Sequence, residues 1–407
     1  MNISLINHYA GSPEHGMEYR PYYIAREWVK EGHNVTIVAA SFSHLRNTNP
    51  QVKHLFTNEM IDGIHYIWIR TPFYEGNGIG RIRNMLSFVV QLRSYLKRAI
   101  RDDNYDAVIA SSTYPLDIYP ARMLQLKTGA KFVFEVHDLW PLSPMELGNI
   151  PAWHPYIMAM QKAENDAYRY CDKVVSILPC AAEHMIEHGL HPAKFVHIPN
   201  GILVDAGEEQ GELPLEHRSI MMRLKEEGRF IIGYAGAHGI ANSLHTAIDA
   251  AELCANDNIA FVLVGQGPEK EKLQAEVNRR GLSNVVFLPG VNKIAVVHIL
   301  DFFDGCYIGL QRQPLFRFGV SPNKLMDYMM AAKPIIYAIE AGNEAGCGIS
   351  VPSEDPEAVA GAIRKLQAMG QSERENMGQR GRDYVLKNHD YRVISKRFLD
   401  ILGNNSR

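Results

Sequence analysis

The chain has 407 residues, of which 46% are hydrophobic and 21% charged, and its formal net charge is −3. That length exceeds what one hydrophobic core ordinarily serves, so two domains are expected. The near balance of acids and bases, with no nucleic-acid-binding pattern, excludes nucleic acid as the expected partner.

From the start of the chain, Met1-Asn2-Ile3-Ser4-Leu5-Ile6 reads as a β-strand and not as a signal peptide, because no basic segment and long apolar core precede a cleavage site. No charge-free run of about 18 apolar residues follows, so no transmembrane helix is predicted. Five cysteines (Cys171, Cys180, Cys254, Cys306, Cys347) are scattered and form no C-x-x-C pair, which favours a reducing, cytoplasmic setting. Short apolar runs then alternate with amphipathic segments, the rhythm of parallel sheets covered by helices. In the first half the spacing predicts strands at 3–6, 35–39, 107–110, 132–136 and 174–177, with helices at 19–31, 115–127 and 155–170. Gly32 is a natural stop for the first of those helices.

A polar interlude from Gly201 to Gly228 separates this series from a second one. There the strands are predicted at 230–234, 260–264, 285–288, 306–310 and 335–338, and the chain is helical after Asp355. The expected domains are 1–200, 201–384 and a terminal segment 385–407.

In open parallel sheets ligands bind beyond the carboxyl ends of the strands, which makes the loops there informative. After the first strand comes Gly11-Ser12-Pro13-Glu14-His15-Gly16-Met17, and after 132–136 comes His137-Asp138. In the second half Gly236, Gly239, Gly265, Gly290 and Val291 fall in such loops, although turns need glycines in any case. Ser321-Pro322-Asn323-Lys324 reads as a helix start, with Ser321 as cap and Pro322 at the first helical position. Free N–H groups and the helix dipole would hold a diphosphate there. Lys324 adds a charge, and Asp327 lies on nearly the same face, placed for ribose hydroxyls. The plainer alternative is an ordinary capped helix. His137 and Asp138 suit proton handling at a sugar; alternatively His137 is structural and Asp138 caps the next helix.

Residues 79–101 carry Arg81, Arg83, Arg93, Lys97, Arg98 and Arg101 with no acid, and Ile82, Leu86, Val89, Leu96 and Ile100 share a helical face. This pattern suits docking on an anionic membrane surface, or else a core-packed helix with a solvated basic face.

Taken in order, several segments resemble the family-4 glycosyltransferases of GT-B fold, in their bacterial surface-polysaccharide branch. They are Gly16-Met17-Glu18-Tyr19-Arg20, Glu135-Val136-His137-Asp138-Leu139-Trp140-Pro141, Pro199-Asn200-Gly201-Ile202, Val264-Gly265-Gln266-Gly267-Pro268, and Pro322-Asn323-Lys324 through Ala332-Lys333-Pro334. The resemblance implies an α/β fold of two Rossmann-like, doubly wound parallel-sheet domains facing a cleft, with the last helix crossing back to the first domain. It implies a retaining transfer without metal or other cofactor, from a nucleotide-diphosphate sugar to a polyprenyl-diphosphate-linked or glycan acceptor. The branch points to a UDP donor carrying an N-acetylated or deoxy amino sugar.

By the same resemblance His137, Asp138 and Lys324 are catalytic. Gly16, Met17, Gly236, Gly239, Gly265, Gly290, Val291, Arg317, Ser321, Asn323 and Asp327 contact the donor, and His15 and Arg20 serve the acceptor or phosphate side. The chain departs from the family in two places. The first acid of the paired-glutamate motif is Gly319 here and the second is Asp327. The usual Arg and Lys after the first strand of the second domain are absent; Ala237, His238 and Asn242 stand near there. A nucleotide-sugar epimerase, which needs no acceptor, is the main alternative, followed by a non-catalytic sugar-binding relative. An NAD-dependent oxidoreductase is disfavoured because Gly233, Gly236 and Gly239 do not form G-x-G-x-x-G.

Overall fold

The computed structural model describes residues 1–16, 19–76, 78–99, 104–204, 212–319, 322–339 and 344–403, with the backbone alone at 19, 98–99 and 293–294. The chain divides into two units. One comprises Met1–Asn200 together with the segment from Tyr391, and the other is Gly201–Asp390.

In the first unit the strands are β1 (Asn2–Ile6), β2 (Asn34–Ala40), β3 (Phe56–Ile61), β4 (Ile64–Ile69), β5 (Ala107–Ala110), β6 (Lys131–Val136), β7 (Lys173–Ser176) and β8 (Phe195–His197). They form one sheet in the order β3-β4-β2-β1-β5-β6-β7-β8. β1 pairs in parallel with both β2 and β5, and β5 is buried at every position. Continuous apolar runs such as Ala107-Val108-Ile109-Ala110 are what a strand covered on both faces requires.

The sequence reading passes over the antiparallel pair β3 and β4. Its signal is Asp62-Gly63, where φ of 48° and 78° suits the type I′ turn that an Asp-Gly pair favours. It also passes over β8, a short half-buried edge strand.

Helix Tyr19–Lys30 crosses this sheet. Trp28 is buried, its indole N–H donates to the Ser395 carbonyl at 3.0 Å, and its ring meets Phe398 edge-on at 5.4 Å. The terminal helix Tyr391–Gly403 is thereby packed into the first unit. The preceding helix, Gln371–Asn388, stays with the second unit because Val385 is buried in that unit's core.

The second unit holds β9 (Phe230–Ala235), β10 (Ile259–Val264), β11 (Val285–Leu288), β12 (Gly305–Gly309), β13 (Ile335–Ala338) and β14 (Gly348–Val351). These run parallel in the order β11-β10-β9-β12-β13-β14; β14 is a second edge strand that the apolar pattern does not reveal. Each sheet has a point where the strand order reverses, between β1 and β5 in one and between β9 and β12 in the other. Loops leaving the carboxyl ends of those strands open the crevice that ligands use in such sheets.

Candidate active site

In the second unit, β9 ends at Ala235 and the chain turns through Gly236, Ala237 and His238. The turn is held by main-chain bonds: Gly236 N–H to Val264 O at 3.0 Å and His238 N–H to Gln266 O at 2.8 Å. Gly265 sits at φ +154°, and a Cβ there would lie 1.9 Å from the Gly236 carbonyl oxygen. The two loops therefore touch backbone to backbone, which only glycine allows. Gly290 borders the same spot, 3.7 Å from the Gly265 Cα as judged from its own Cβ direction. Gly239 precedes a 3₁₀ turn, Ile240–Asn242. Val291 is half-buried against the core of the unit, so its side chain is a packing group.

Helix Asn323–Met330 starts one residue later than its sequence suggests. Pro322 occupies the cap position with ψ 132°, a value outside the helix, and makes no side-chain cap bond. Ser321, expected as the cap, lies outside the described residues. Asn323 is exposed. Lys324 follows in the first turn and points its ammonium at the β9 loop. Its Nζ donates to the Tyr234 hydroxyl at 2.8 Å and to the Asn242 side-chain amide oxygen, Oδ1, and lies 4.6 Å from the Tyr234 ring centroid. Burial brings its pKa down to about 8. Asp327 is half-buried one turn further on. Arg317 turns back on its own 3₁₀ segment, with its guanidinium 4.2 Å from the Phe318 centroid and an N–H donated to Pro314 O at 2.5 Å. The structure thus brings Lys324, Gly236 and Gly265 together and sends Arg317 elsewhere.

Three side chains here escaped assignment from sequence: Tyr234, Asn242 and His238. His238 is fully buried, and among the described residues neither ring nitrogen has a hydrogen-bond partner. Burial, then the charges of Lys270 and Lys324, push its pKa down to about 4, so the ring is neutral at physiological pH.

In the first unit, β6 delivers Glu135, His137 and Asp138. Ser111, just past β5, donates to Glu135 Oε2 at 2.6 Å and lies 2.9 Å from His137 Nε2. Since the serine hydroxyl proton goes to the carboxylate, His137 Nε2 is the donor to Ser111 Oγ. Arg20 closes the network, pairing with Glu135 at 2.9 Å and donating to the carbonyls of Ile198 and Pro199. Burial opposes ionisation of Glu135, but Arg20, His137 and Ser111 together hold its pKa far below the usual carboxylate range.

Arg20, expected to serve the acceptor or phosphate side, is buried, and its guanidinium is engaged by Glu135 and the two carbonyls. Asp138 accepts from Leu139 N–H at 2.9 Å and from Ser143 Oγ at 2.7 Å; it ties down its own turn, and burial raises its pKa. His15 is buried against Trp68, with Nδ1 2.8 Å from Ser12 Oγ. Gly16 has φ +67°, and any Cβ would meet the Asn47 side chain at 2.5 Å. Met17 lies outside the described residues. Glu135 itself was missed, though an acid inside the apolar run Phe132-Val133-Phe134-Glu135-Val136 was the available signal.

Helix Ile79–Ala99 presents Ile79, Arg83, Leu86, Val90, Arg93 and Lys97 outward along one line, with Ile79 84% and Val90 66% exposed. Met85, Phe88, Leu92 and Leu96 are buried on the opposite side. Leu86 and Leu96, expected on one face, thus lie on different ones. Arg81 also departs from the basic stripe: it is half-buried, with its guanidinium 5.7 Å from the ring centroids of both Tyr9 and Trp140. The Arg98 side chain and Arg101 lie outside the described residues. Among the described residues no helix is long and apolar enough to cross a membrane, and no group of three or more His, Cys, Asp or Glu side chains is placed to hold a metal ion.

Residues 15–205 match the family described as Glycosyltransferase Family 4, and residues 229–368 match the family described as Glycosyl transferases group 1. A protein named as a colanic acid biosynthesis glycosyl transferase, WcaI of Escherichia coli, is 22% identical over 356 residues, covering 83% of this chain and 86% of its own. WbjE of Pseudomonas aeruginosa, named as a glycosyltransferase, is 22% identical over 331 residues, covering 76% of this chain and 77% of its own. Among solved structures, HepE of Anabaena in complex with UDP has a TM-score of 0.68 at 14% identity, covering 99% of this chain and 100% of its own. With its two parallel sheets and both halves matched, the chain belongs to the glycosyltransferases of GT-B fold, family 4 in its first half and group 1 in its second.

Proposed function

We propose that this enzyme moves a sugar from a UDP-activated donor to a lipid-linked or glycan acceptor during assembly of a bacterial surface polysaccharide, with retention at the anomeric carbon and without a metal ion. The observation that carries the donor side is the Lys324 ammonium. It is fixed by Tyr234 and Asn242 at the start of helix Asn323–Met330, beside glycines whose backbones approach closely. A leaving diphosphate needs fixed cations and N–H dipoles for its growing charge, and a helix start supplies the dipoles. HepE, the structural relative solved with UDP, has also been solved with UDP-glucose, and the colanic acid name of WcaI favours a polysaccharide product.

In this reading Lys324 and the first amides of its helix hold the β-phosphate while the C1–O bond breaks. The acceptor oxygen bonds C1 on the same face, and its proton passes to the departing phosphate oxygen. His137, oriented by Ser111 and Glu135, contributes its other ring nitrogen, Nδ1, to the donor sugar. Asn323 and Asp327 serve the donor from the same helix. The exposed line Ile79, Arg83, Leu86, Val90, Arg93 and Lys97 docks on anionic lipid, each basic residue adding roughly 1 kcal/mol near the surface.

The test is UDP release from a panel of UDP-sugars, with and without lipid-linked acceptors, in the presence of EDTA. Release that requires an acceptor and survives chelation is expected. Conversion of the UDP-sugar with no acceptor would replace transfer by epimerisation.

A further inference from the structure

Arg81 does not share the surroundings of the other basic residues on its helix. Residues 81, 85 and 88 fall on one helical face, and Met85 and Phe88 are buried there, so helical spacing carries Arg81 inward. It arrives at the carboxyl edge of the first sheet, where three loops converge. Tyr9 follows β1, Tyr74 follows β4 and Trp140 follows β6. Arg81 Nη2 donates to the Tyr9 hydroxyl at 3.3 Å, and its guanidinium carbon lies 5.7 Å from the centroids of both the Tyr9 and the Trp140 ring. Tyr156 meets Trp140 edge-on at 6.4 Å, and the hydroxyl of Tyr74 is 2.5 Å from Nδ1 of the exposed His44.

Placing a guanidinium inward is costly, and two rings within cation–π range offset that cost. A guanidinium is a side-chain group suited to phosphate recognition. The local field has the matching sign. His8, His15 and His44 are all pushed below the ordinary histidine range, by burial first and then by Arg46 or Arg81. Tyr9 and Tyr74 are buried, while Trp140 and Tyr156 are half-buried, and half-buried rings beside a cation suit the mixed lining of a small-ligand site, apolar enough for the face of a pyranose.

We propose that Arg81, held by the Tyr9 hydroxyl beside the Trp140 ring, binds the phosphate of a phosphorylated sugar acceptor. This rests on the transferase reading above and adds the acceptor's chemical class and its principal contact. The guanidinium is a binding group here, and it belongs to this site and not to the membrane-facing line.

The test is calorimetric titration of the full chain with three probes: N-acetylglucosaminyl phosphate, farnesyl-diphosphate-linked N-acetylglucosamine and the neutral methyl glycoside. UDP is titrated in parallel. The wild type should bind one or both phosphorylated probes and not the glycoside, and the stronger of the two identifies a free or lipid-linked acceptor. Arg81→Ala should weaken that binding about 10- to 100-fold with UDP affinity unchanged. Lys53→Ala, an exposed cation of the same unit that lies off this site and off the exposed line, should match the wild type.

If Arg81→Ala does not fold, Arg81→Lys takes its place, with weaker phosphate binding and unchanged UDP affinity expected. Equal binding of the glycoside and the phosphorylated probes would overturn the proposal. So would phosphate-probe binding that is undisturbed by either Arg81 variant, or a wild type that binds UDP but neither phosphorylated probe. Failure of the wild type to bind UDP would instead remove the transferase reading on which the proposal stands.

Discussion

Lys324 holds its ammonium against Tyr234 and Asn242, and burial lowers its pKa to about 8. The charged form is the one that attracts a diphosphate, so UDP affinity should be full below about pH 8 and fall as pH rises through it. Lys324→Arg, charged throughout, should flatten that fall; a flat wild-type profile would count against the contact. The sign for folding is opposite. Between about pH 8 and the ordinary lysine range the unfolded chain binds the extra proton, so this residue's contribution to stability rises with pH there.

His137 was legible as a candidate because it stands in a short motif at the end of β6, and Lys324 because it stands in one at a helix start. Their partners were not. Arg20 and Glu135 lie 115 positions apart, and no local pattern announces that one neutralises the other. Removing either half of such a buried pair strands a charge, which is why Arg20 is spent inside the unit. Tyr234 and Asn242 were hidden for the same reason, since their meeting with Lys324 is made by the sheet and not by spacing.

At the scale of elements, helix Ile79–Ala99 shows how far periodicity reaches. The basic and apolar composition was visible, but the same spacing admits more than one division into inner and outer faces. Packing decides it: Met85, Phe88, Leu92 and Leu96 turn in, while Leu86 and Val90 stay out with Arg83, Arg93 and Lys97. An exposed line of this kind should sediment with anionic vesicles at low salt. The triple substitution of Arg83, Arg93 and Lys97 by Glu should abolish sedimentation without unfolding the protein, because all three are exposed. Retention on neutral vesicles alone, or no binding at low salt, would contradict the docking role. The β3–β4 hairpin was missed because β3 alternates weakly and leaves Asn58, Glu59 and Met60 exposed at the sheet edge; its Asp62-Gly63 turn was the better guide. The start of helix Asn323–Met330 was misplaced by one residue because proline tolerates both the cap and the first helical position, and ψ alone separates them.

For the molecule as a whole, alternation of apolar runs with amphipathic segments was enough to read two parallel sheets, because covered parallel strands must be apolar throughout. The order of strands within each sheet was not readable, and that order is what puts its reversal at β1/β5 and β9/β12. In the proposed function, sugar transfer from a UDP donor depends on the second of these reversals meeting a diphosphate through Lys324. The most direct measurement is calorimetric titration of UDP into the wild type and Lys324→Ala, with thermal unfolding as the check on folding. The account predicts roughly 10- to 100-fold weaker binding in the variant at an unchanged melting temperature. Equal UDP affinity in the two folded proteins would contradict it.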